Sequence, residues 1–155
     1  MLKIVDLAHV MFNVTDLDRA IHFYRDLLGF KVSGGIEGQI VWMNFGQYHD
    51  DHNYFFHDLG LYQVPNALPN NYRKIAGINH AAFRLATVEE VDHAAVYLKD
   101  NGVMILKGPL THKEDLDRYL YVEDPDGNVI EFVSTTLPDF PEGFLQRPVA
   151  EAKGV

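Results

Sequence analysis

The chain has no cysteine among its 155 residues. This absence excludes a disulfide framework and a thiolate metal site, and it leaves His, Asp and Glu as the candidate metal ligands. Basic residues are also scarce, with 13 Lys and Arg against 22 Asp and Glu, so the net charge is −9. Without a basic run, the sequence offers no electrostatic surface for a phosphate backbone. We therefore predict a protein that does not bind nucleic acid.

Long apolar runs are absent as well. No run approaches the length of a membrane span, and the first residues lack the pattern of a cleaved secretory leader. We expect a soluble cytoplasmic protein without a membrane partner. Hydrophobic residues make up 47% of the chain and aromatic residues 12%, which is enough for a substantial core. The length predicts a single domain over residues 1–155.

The first half of the chain predicts a strand, a helix and three further strands. Apolar residues alternate from Ala8 to Val14, which predicts a strand with one buried face and with His9 on the other face. A helix follows, with Thr15 as its expected N-cap and Gly29 as its stop. The three later strands are expected at residues 30–33 and 40–45, separated by Gly34 and Gly35, and at about 53–62.

The same pattern restarts in the second half of the chain. Residues 78–85 repeat the alternation, and His80 matches His9 in place and parity. Thr87 and Glu90 form a predicted capping box at the start of the second helix. Strands are expected at 103–106, 119–123 and 129–134, with a tight turn over 124–128 between the last two. The sequence thus predicts two βαβββ modules, about 5–62 and 77–135, and an extended tail over 136–155.

Three residues on these strands have the chemistry of a metal site. His9 and His80 occupy equivalent positions of the repeat, and Glu131 lies within the apolar run 129–133. A carboxylate on a buried strand is costly without a cation or a hydrogen-bonded partner. Two imidazoles and one carboxylate are a ligand set for a ferrous ion that keeps positions open for reactants. We predict an α+β fold whose two paired modules form a curved mixed sheet around a metal cleft.

The sequence resembles the vicinal oxygen chelate superfamily, which pairs βαβββ modules around a metal. The resemblance covers roughly residues 5–135 and implies that His9 and His80 are the first-strand ligands of the two modules. It further implies that Glu131, which follows the Asp-Pro-Asp-Gly-Asn turn, is the last-strand carboxylate ligand. The superfamily includes dioxygenases, glyoxalases, epimerases, thiol transferases and drug-binding proteins, so this fold does not settle the chemistry.

Two further elements resemble type I extradiol ring-cleavage dioxygenases. The run 56–61 is similar to their His-Asp-Leu-Ala-Leu segment, which implies that His57 is an acid–base residue beside the metal. His57 follows His9 by 48 positions and Glu131 follows His80 by 51, so we expect His57 and Glu131 to occupy corresponding places. Residues 108–112 resemble a Gly-Pro-x-x-His element.

That element implies that His112 contacts the substrate or its immediate surroundings. Its continuation over residues 118–121 resembles the Tyr element ahead of the final ligand, which implies that Tyr121, ten residues before Glu131, hydrogen-bonds a substrate oxygen. Glu114 departs from the small polar residue that is common two positions after the loop His.

The resemblance implies an extradiol dioxygenase that uses Fe(II), with Mn(II) as the alternative metal, and takes a catecholic substrate and O₂. One alternative is a metal-dependent glyoxalase-like isomerase or epimerase, in which His57 supplies a fourth ligand. Another is a protein of the same fold that binds an aromatic drug. His49 and His52 lie in an acidic segment that indicates either a second metal site or a solvated loop. Exposed sheet edges favour a homo-oligomer.

Overall fold

In the computed structural model, the described residues are 2–4, 6–47, 56–67, 76–113 and 116–136. The chain divides into two units, residues 1–70 and 71–155. Each unit holds one βαβββ module. Within the described ranges, no helix is long and apolar enough to cross a bilayer. The association of both modules in one domain stays a prediction.

Module one is a four-stranded mixed sheet with a helix. Its elements are β1 (Val10–Val14), α1 (Leu17–Ile21) with a π-helical continuation (His22–Leu27), β2 (Lys31–Ile36), β3 (Ile40–Asn44) and β4 (Leu59–Gln63). The strand order is β1-β4-β3-β2, and β1 runs parallel to β4 while the other pairs are antiparallel.

Module two repeats this arrangement. Its elements are β5 (Ala81–Arg84), α2 (Val88–Asp100), β6 (Ile105–Thr111), β7 (Asp117–Glu123) and β8 (Val129–Thr135). The order is β5-β8-β7-β6, with β5 parallel to β8 and the remaining pairs antiparallel. The predicted repeat and the α+β class are therefore confirmed.

One face of each sheet forms a core with the helix of its own module. In β1, Phe12 and Val14 are buried while Met11 and Asn13 are exposed, as the alternation predicts. Burial of such a side chain contributes about 1.5–3 kcal/mol relative to leaving it in water. The apolar face of each sheet is thus packed into the core. The opposite face is the one on which the polar candidate residues of the predicted site can lie. The fully or nearly fully buried core side chains of the sheets and helices include Leu17, Ala20, Phe23, Tyr24, Met43, Leu59 and Leu61 in module one, and Val91, Leu98, Leu120, Val122 and Ile130 in module two.

Local capping signals are correct for the second helix and misplaced by one residue for the first. The Oγ1 of Thr87 accepts from the Glu90 amide at 3.3 Å, and the Glu90 carboxylate accepts from the Thr87 amide at 3.3 Å. The first N-cap is Asp16, not Thr15, because the Asp16 Oδ1 accepts from the Arg19 amide at 3.0 Å. Thr15 instead accepts a side-chain hydrogen bond from the Arg19 guanidinium.

Two glycines that were expected to end a strand lie inside β2. Gly34 pairs with Trp42 and Gly35 with Val41, so the predicted break at Gly34 and Gly35 is wrong. The turn falls at residues 37–39 instead, where Gly38 adopts a φ of +66°. That left-handed conformation is accessible to Gly without steric cost.

Several boundaries differ from the expected ones. His9 and His80 each lie one residue before a strand and not within it. The last strand of module one begins at Leu59, so His57 precedes it, and residues 53–55 lie outside the described ranges. β6 extends to Thr111 and includes residues 108–111, which were expected to belong to a loop. Glu114, the segment with His49 and His52, and the tail from residue 137 also lie outside the described ranges.

Candidate functional site

Glu131 is the buried carboxylate of module two. It lies in the middle of β8, opposite Ala82 of β5 and Tyr121 of β7, and is only 6% exposed. Its two oxygens face different imidazoles: Oε2 lies 3.0 Å from the Nε2 of His80, and Oε1 lies 3.5 Å from the Nε2 of His112. The structure thus brings together one predicted acidic ligand, one predicted imidazole ligand and the predicted substrate-contacting His112.

The His80 ring is oriented by its neighbour. Its Nδ1 lies 2.8 Å from the Oδ1 of Asn79, an amide oxygen that only accepts, so the tautomer that carries its proton on Nδ1 can donate to Asn79. The Nε2 atom then presents a lone pair toward the Oε2 of Glu131, which also only accepts. An imidazole nitrogen and a carboxylate oxygen 3.0 Å apart are donor atoms of the kind that a divalent metal takes, so the pair of His80 and Glu131 fits such an ion.

Aromatic rings surround this carboxylate. The ring of Tyr121 meets that of His80 edge to face with centroids 5.1 Å apart, and it meets Tyr119 at 5.4 Å. Tyr119 in turn stacks on His112, with centroids 3.8 Å apart and planes within 16°. Since His80 and His112 both face Glu131, the carboxylate joins the two ends of this series of rings. Rigid neighbours of this kind hold a buried polar group in one geometry.

Tyr119 was missed by the sequence analysis. It is 4% exposed and lies two residues before Tyr121 on β7. Because alternate residues of a strand share a face, its position relative to Tyr121 was the available signal.

Module one has its own cluster, built from His9, His57 and Trp42. The rings of His9 and His57 have centroids 4.5 Å apart, and His57 stacks against Trp42 at 5.8 Å. The segment before β4 is anchored by backbone hydrogen bonds from the Asp58 amide to Met43 and from the Val10 amide to the Asp58 carbonyl, both 2.9 Å.

The side chain of Asp58 accepts hydrogen bonds at the edge of β3. Its Oδ2 accepts from the Gln47 side chain at 2.5 Å and from the Phe45 amide at 3.3 Å. Together with the main-chain bonds of Asp58 to Met43 and Val10, these side-chain bonds hold the backbone next to His57. They thereby position His57 beside His9.

The register of the two sheets corrects one expectation. Glu131 lies opposite Ala82 and Tyr121, whereas the matching position in module one, opposite Met11 and Trp42, is Gly60. Gly60 follows His9 by 51 positions, the same spacing as from His80 to Glu131. His57 therefore does not occupy the place of Glu131, because it precedes the strand by two residues. Where module two has a carboxylate, module one has no side chain.

The three predicted metal ligands are split between the modules. His80 and Glu131 are adjacent in module two, and His9 belongs to module one beside His57. Across the described ranges, no group of three or more His, Asp or Glu side chains is arranged to hold a metal ion. The ligand set of His9, His80 and Glu131 accordingly stays a prediction.

Comparisons with known proteins identify the family to which the chain belongs. The model of the Glyoxalase/Bleomycin resistance protein/Dioxygenase superfamily matches residues 6–132. A solved glyoxalase/dioxygenase from Nostoc punctiforme is similar with a TM-score of 0.65 at 22% identity, over 83% of this chain and 89% of that one. This chain is a member of the Glyoxalase/Bleomycin resistance protein/Dioxygenase superfamily.

Curated relatives within this superfamily differ in activity. The chain is 30% identical over 141 residues to the metallothiol transferase FosB of Staphylococcus saprophyticus, covering 88% of this chain and 81% of that protein. It is also 30% identical over 131 residues to the catechol-2,3-dioxygenase of Bacillus subtilis, covering 82% of this chain but 40% of that protein. The superfamily is thus shared by oxygenases and thiol transferases, and the choice between them depends on the site.

Proposed function

We propose that this protein is an extradiol dioxygenase, which cleaves the ring of a catechol next to the diol with O₂ at a mononuclear ferrous centre. The observation that carries the proposal is Gly60 in the register position of Glu131. With no carboxylate there, the ligands left by the two modules are His9, His80 and Glu131. Three protein ligands leave room for a bidentate catecholate and O₂, which a fourth ligand would obstruct.

His9, His80 and Glu131 would hold the metal, with Fe(II) preferred over Mn(II) because of the O₂ chemistry. When bound, this ion supplies the coordination positions at which the diol and O₂ meet. We assign the acid–base role to His57, because its ring contacts that of His9 and imidazoles in general can act as acids and bases near neutral pH. Its proposed task is to take the proton of a catechol hydroxyl and to return one during ring opening.

Tyr121 and His112 are assigned to the substrate. Tyr121 packs against His80, and His112 faces Glu131, so both border the proposed metal position. A phenol hydroxyl and an imidazole N–H can donate hydrogen bonds to a substrate oxygen as its negative charge grows. The buried aromatic surroundings, Tyr119 included, lower the local dielectric and strengthen these bonds.

The test is to load the protein with ferrous ion under anaerobic conditions and then to mix it with aerated solutions of a catechol panel. We expect O₂ uptake equal to the catechol consumed, with the coloured product of ring opening. Loading with Zn²⁺ is the matched control and should give neither signal. The proposal fails if no catechol in a broad panel is consumed by the ferrous protein.

A thiol transferase is the second candidate, since the FosB relatives match along most of their length. It predicts metal-dependent transfer of a thiol to an electrophile without O₂. A glyoxalase-like isomerase, the remaining metal-dependent alternative, would convert a hemithioacetal, also without O₂. Both reactions can be measured anaerobically on the same metal-loaded protein, so the oxygen requirement separates them from ring cleavage.

A further inference from the structure

The side chains that share a sheet face with Glu131 carry positive charge as well as aromatic rings. Register places Arg84, Asp117, Tyr119, Tyr121 and Glu123 on this face, because each lies opposite Glu131 or an even number of residues from one of its strand partners, Ala82 and Tyr121. Lys107 pairs with Tyr121 across β6 and β7 and therefore lies on the same face. We call this set the polar face of module two.

The two cations of the polar face differ in their partners. Arg84 is matched by Asp117, with Nη1 and Oδ2 3.5 Å apart. Lys107 instead lies over an aromatic ring, with its Nζ 5.3 Å from the centroid of Tyr119. Within the described ranges, no carboxylate forms an ion pair with Lys107. In this part of the chain the partner of its ammonium is therefore an aromatic ring, whereas that of Arg84 is a carboxylate.

The strand pairing is irregular on both sides of Lys107. The register between β6 and β7 shifts on both sides of it, once before Lys107 and once between Lys107 and Leu110. Such bulges redirect side chains and are common beside functional sites. Gly108 permits the second shift, because it adopts a φ of +96° and an added Cβ would lie 2.5 Å from the Tyr119 carbonyl oxygen.

Lys107 is connected to the proposed site through one ring. Tyr119, which its ammonium covers, stacks on His112 at 3.8 Å, and His112 faces Glu131 at 3.5 Å. An aromatic substrate held between His112 and Tyr121 would thus have Lys107 within reach of a ring substituent. The protein as a whole carries a charge of −9, so an anionic ligand needs such a local cation to offset repulsion.

We propose that Lys107 determines substrate specificity and that the protein takes a catechol whose ring bears an anionic substituent such as a carboxylate. The inference rests on the proposed ring-cleavage function. A contact between Lys107 and the carboxylate of the substrate would lower KM for the anionic substrate without taking part in the reaction. We therefore assign Lys107 to recognition and not to catalysis.

The first experiment compares two catechols on the ferrous protein: 3,4-dihydroxyphenylacetate, which carries a carboxylate, and 4-methylcatechol, which is neutral. For Lys107→Met we expect kcat/KM for the anionic catechol to fall about 10-fold or more, mainly through KM, with little change for the neutral one. Lys107→Arg should restore most of the preference. Lys99→Met, at an exposed lysine of α2, is the matched control and should behave like the natural protein.

The second experiment needs neither metal nor turnover. The metal-free protein is titrated with phenylacetate and with its neutral counterpart phenylacetamide, and binding is followed by amide NMR shifts on β6 and β7. We expect phenylacetate to bind more tightly, and this preference to disappear in Lys107→Met. Equal losses for both catechols, or a preference for phenylacetate that survives the substitution, would overturn the inference. Absence of cleavage for every catechol, with a preference for phenylacetate that the natural protein shows and Lys107→Met loses, would overturn the proposed ring cleavage and leave Lys107 as an anion-recognition residue.

Discussion

The imidazole of His57 stacks on the indole of Trp42, with ring centroids 5.8 Å apart and planes inclined by 30°. Trp42 is the single tryptophan of the chain, so the tryptophan emission comes from the residue that contacts His57. We expect His57→Leu to raise the emission intensity, because an imidazole in contact with an indole quenches it. His93→Leu, at an exposed position of α2, is the control. Identical emission from all three proteins would show that the contact is absent in solution.

His57→Phe tests the acid–base assignment. Phe keeps an aromatic ring against Trp42 but cannot exchange a proton. We expect bound iron to remain at the level of the natural protein, measured by metal analysis, while kcat for catechol cleavage falls about 10²- to 10⁴-fold, the usual contribution of a general acid or base. Turnover at the natural rate would remove His57 from the mechanism.

Gly60→Glu tests whether the missing carboxylate keeps the metal site open. Under the proposed function, the new side chain supplies a fourth ligand from the register position of Glu131. We expect metal affinity to rise and O₂-dependent cleavage to fall at least about 10-fold, because a coordination position is lost.

Gly60→Ala is the matched control for crowding. An added Cβ at Gly60 would overlap the Sδ of Met11 and lie 2.9 Å from its Cε, so Met11 must move in either variant. Equal losses of cleavage in the Ala and Glu variants would attribute the effect to crowding and not to coordination.

Glu131→Gln tests the carboxylate ligand while preserving shape. The amide removes the negative charge that lies against His80 and His112. We expect metal affinity, measured by competition with a chelator, to fall more than about 100-fold. Substitutions outside the ligand sphere usually lower it about 10- to 100-fold. Glu89→Gln, in the exposed first turn of α2, should retain full affinity. Full affinity in Glu131→Gln would exclude Glu131 as a ligand.

Thr87→Ala tests the capping box of α2. The substitution removes the acceptor of the Glu90 amide, and loss of such a cap costs about 1 kcal/mol of stability. The free energy of unfolding, measured by urea titration, should fall by that amount. Thr87→Ser keeps the hydroxyl and should retain most of the stability. If Ser and Ala destabilise equally, the cap bond is not the cause.

Local signals in the sequence predicted most of the fold. The alternation around Phe12, the capping box of Thr87 and Glu90, and the turn over 124–128 are each encoded within a few residues, so they could be recognised without coordinates. The repeat followed because the same signals recur in the same order. Placement of His9 and His80 just before their strands differed by only one residue from the expectation.

Register was what the sequence could not specify. His57 follows His9 by 48 residues and Glu131 follows His80 by 51, and these similar spacings suggested that His57 corresponds to Glu131. Only the start of β4 and its register show that Gly60 is the corresponding residue. The shifts around Lys107 likewise depend on pairing between β6 and β7, which are separated in the chain. Long-range pairing therefore determined the place of Lys107, which inspection of single segments could not show, whereas the position of Tyr119 could be read from β7 alone.

The turn after β7 is held by the side chains of its own ends. The Oδ1 of Asp124 accepts from the amides of Asp126 and Asn128 at 2.9 and 2.8 Å, and the Asn128 side chain donates to Oδ2 at 2.8 Å. Since side chains alternate between faces, one inserted residue here would move Glu131 into the apolar core and bring Ile130 to the polar face. The chemistry of module two thus depends on the length of a five-residue turn, which makes that turn intolerant of insertion even though none of its side chains belongs to the proposed ligand set.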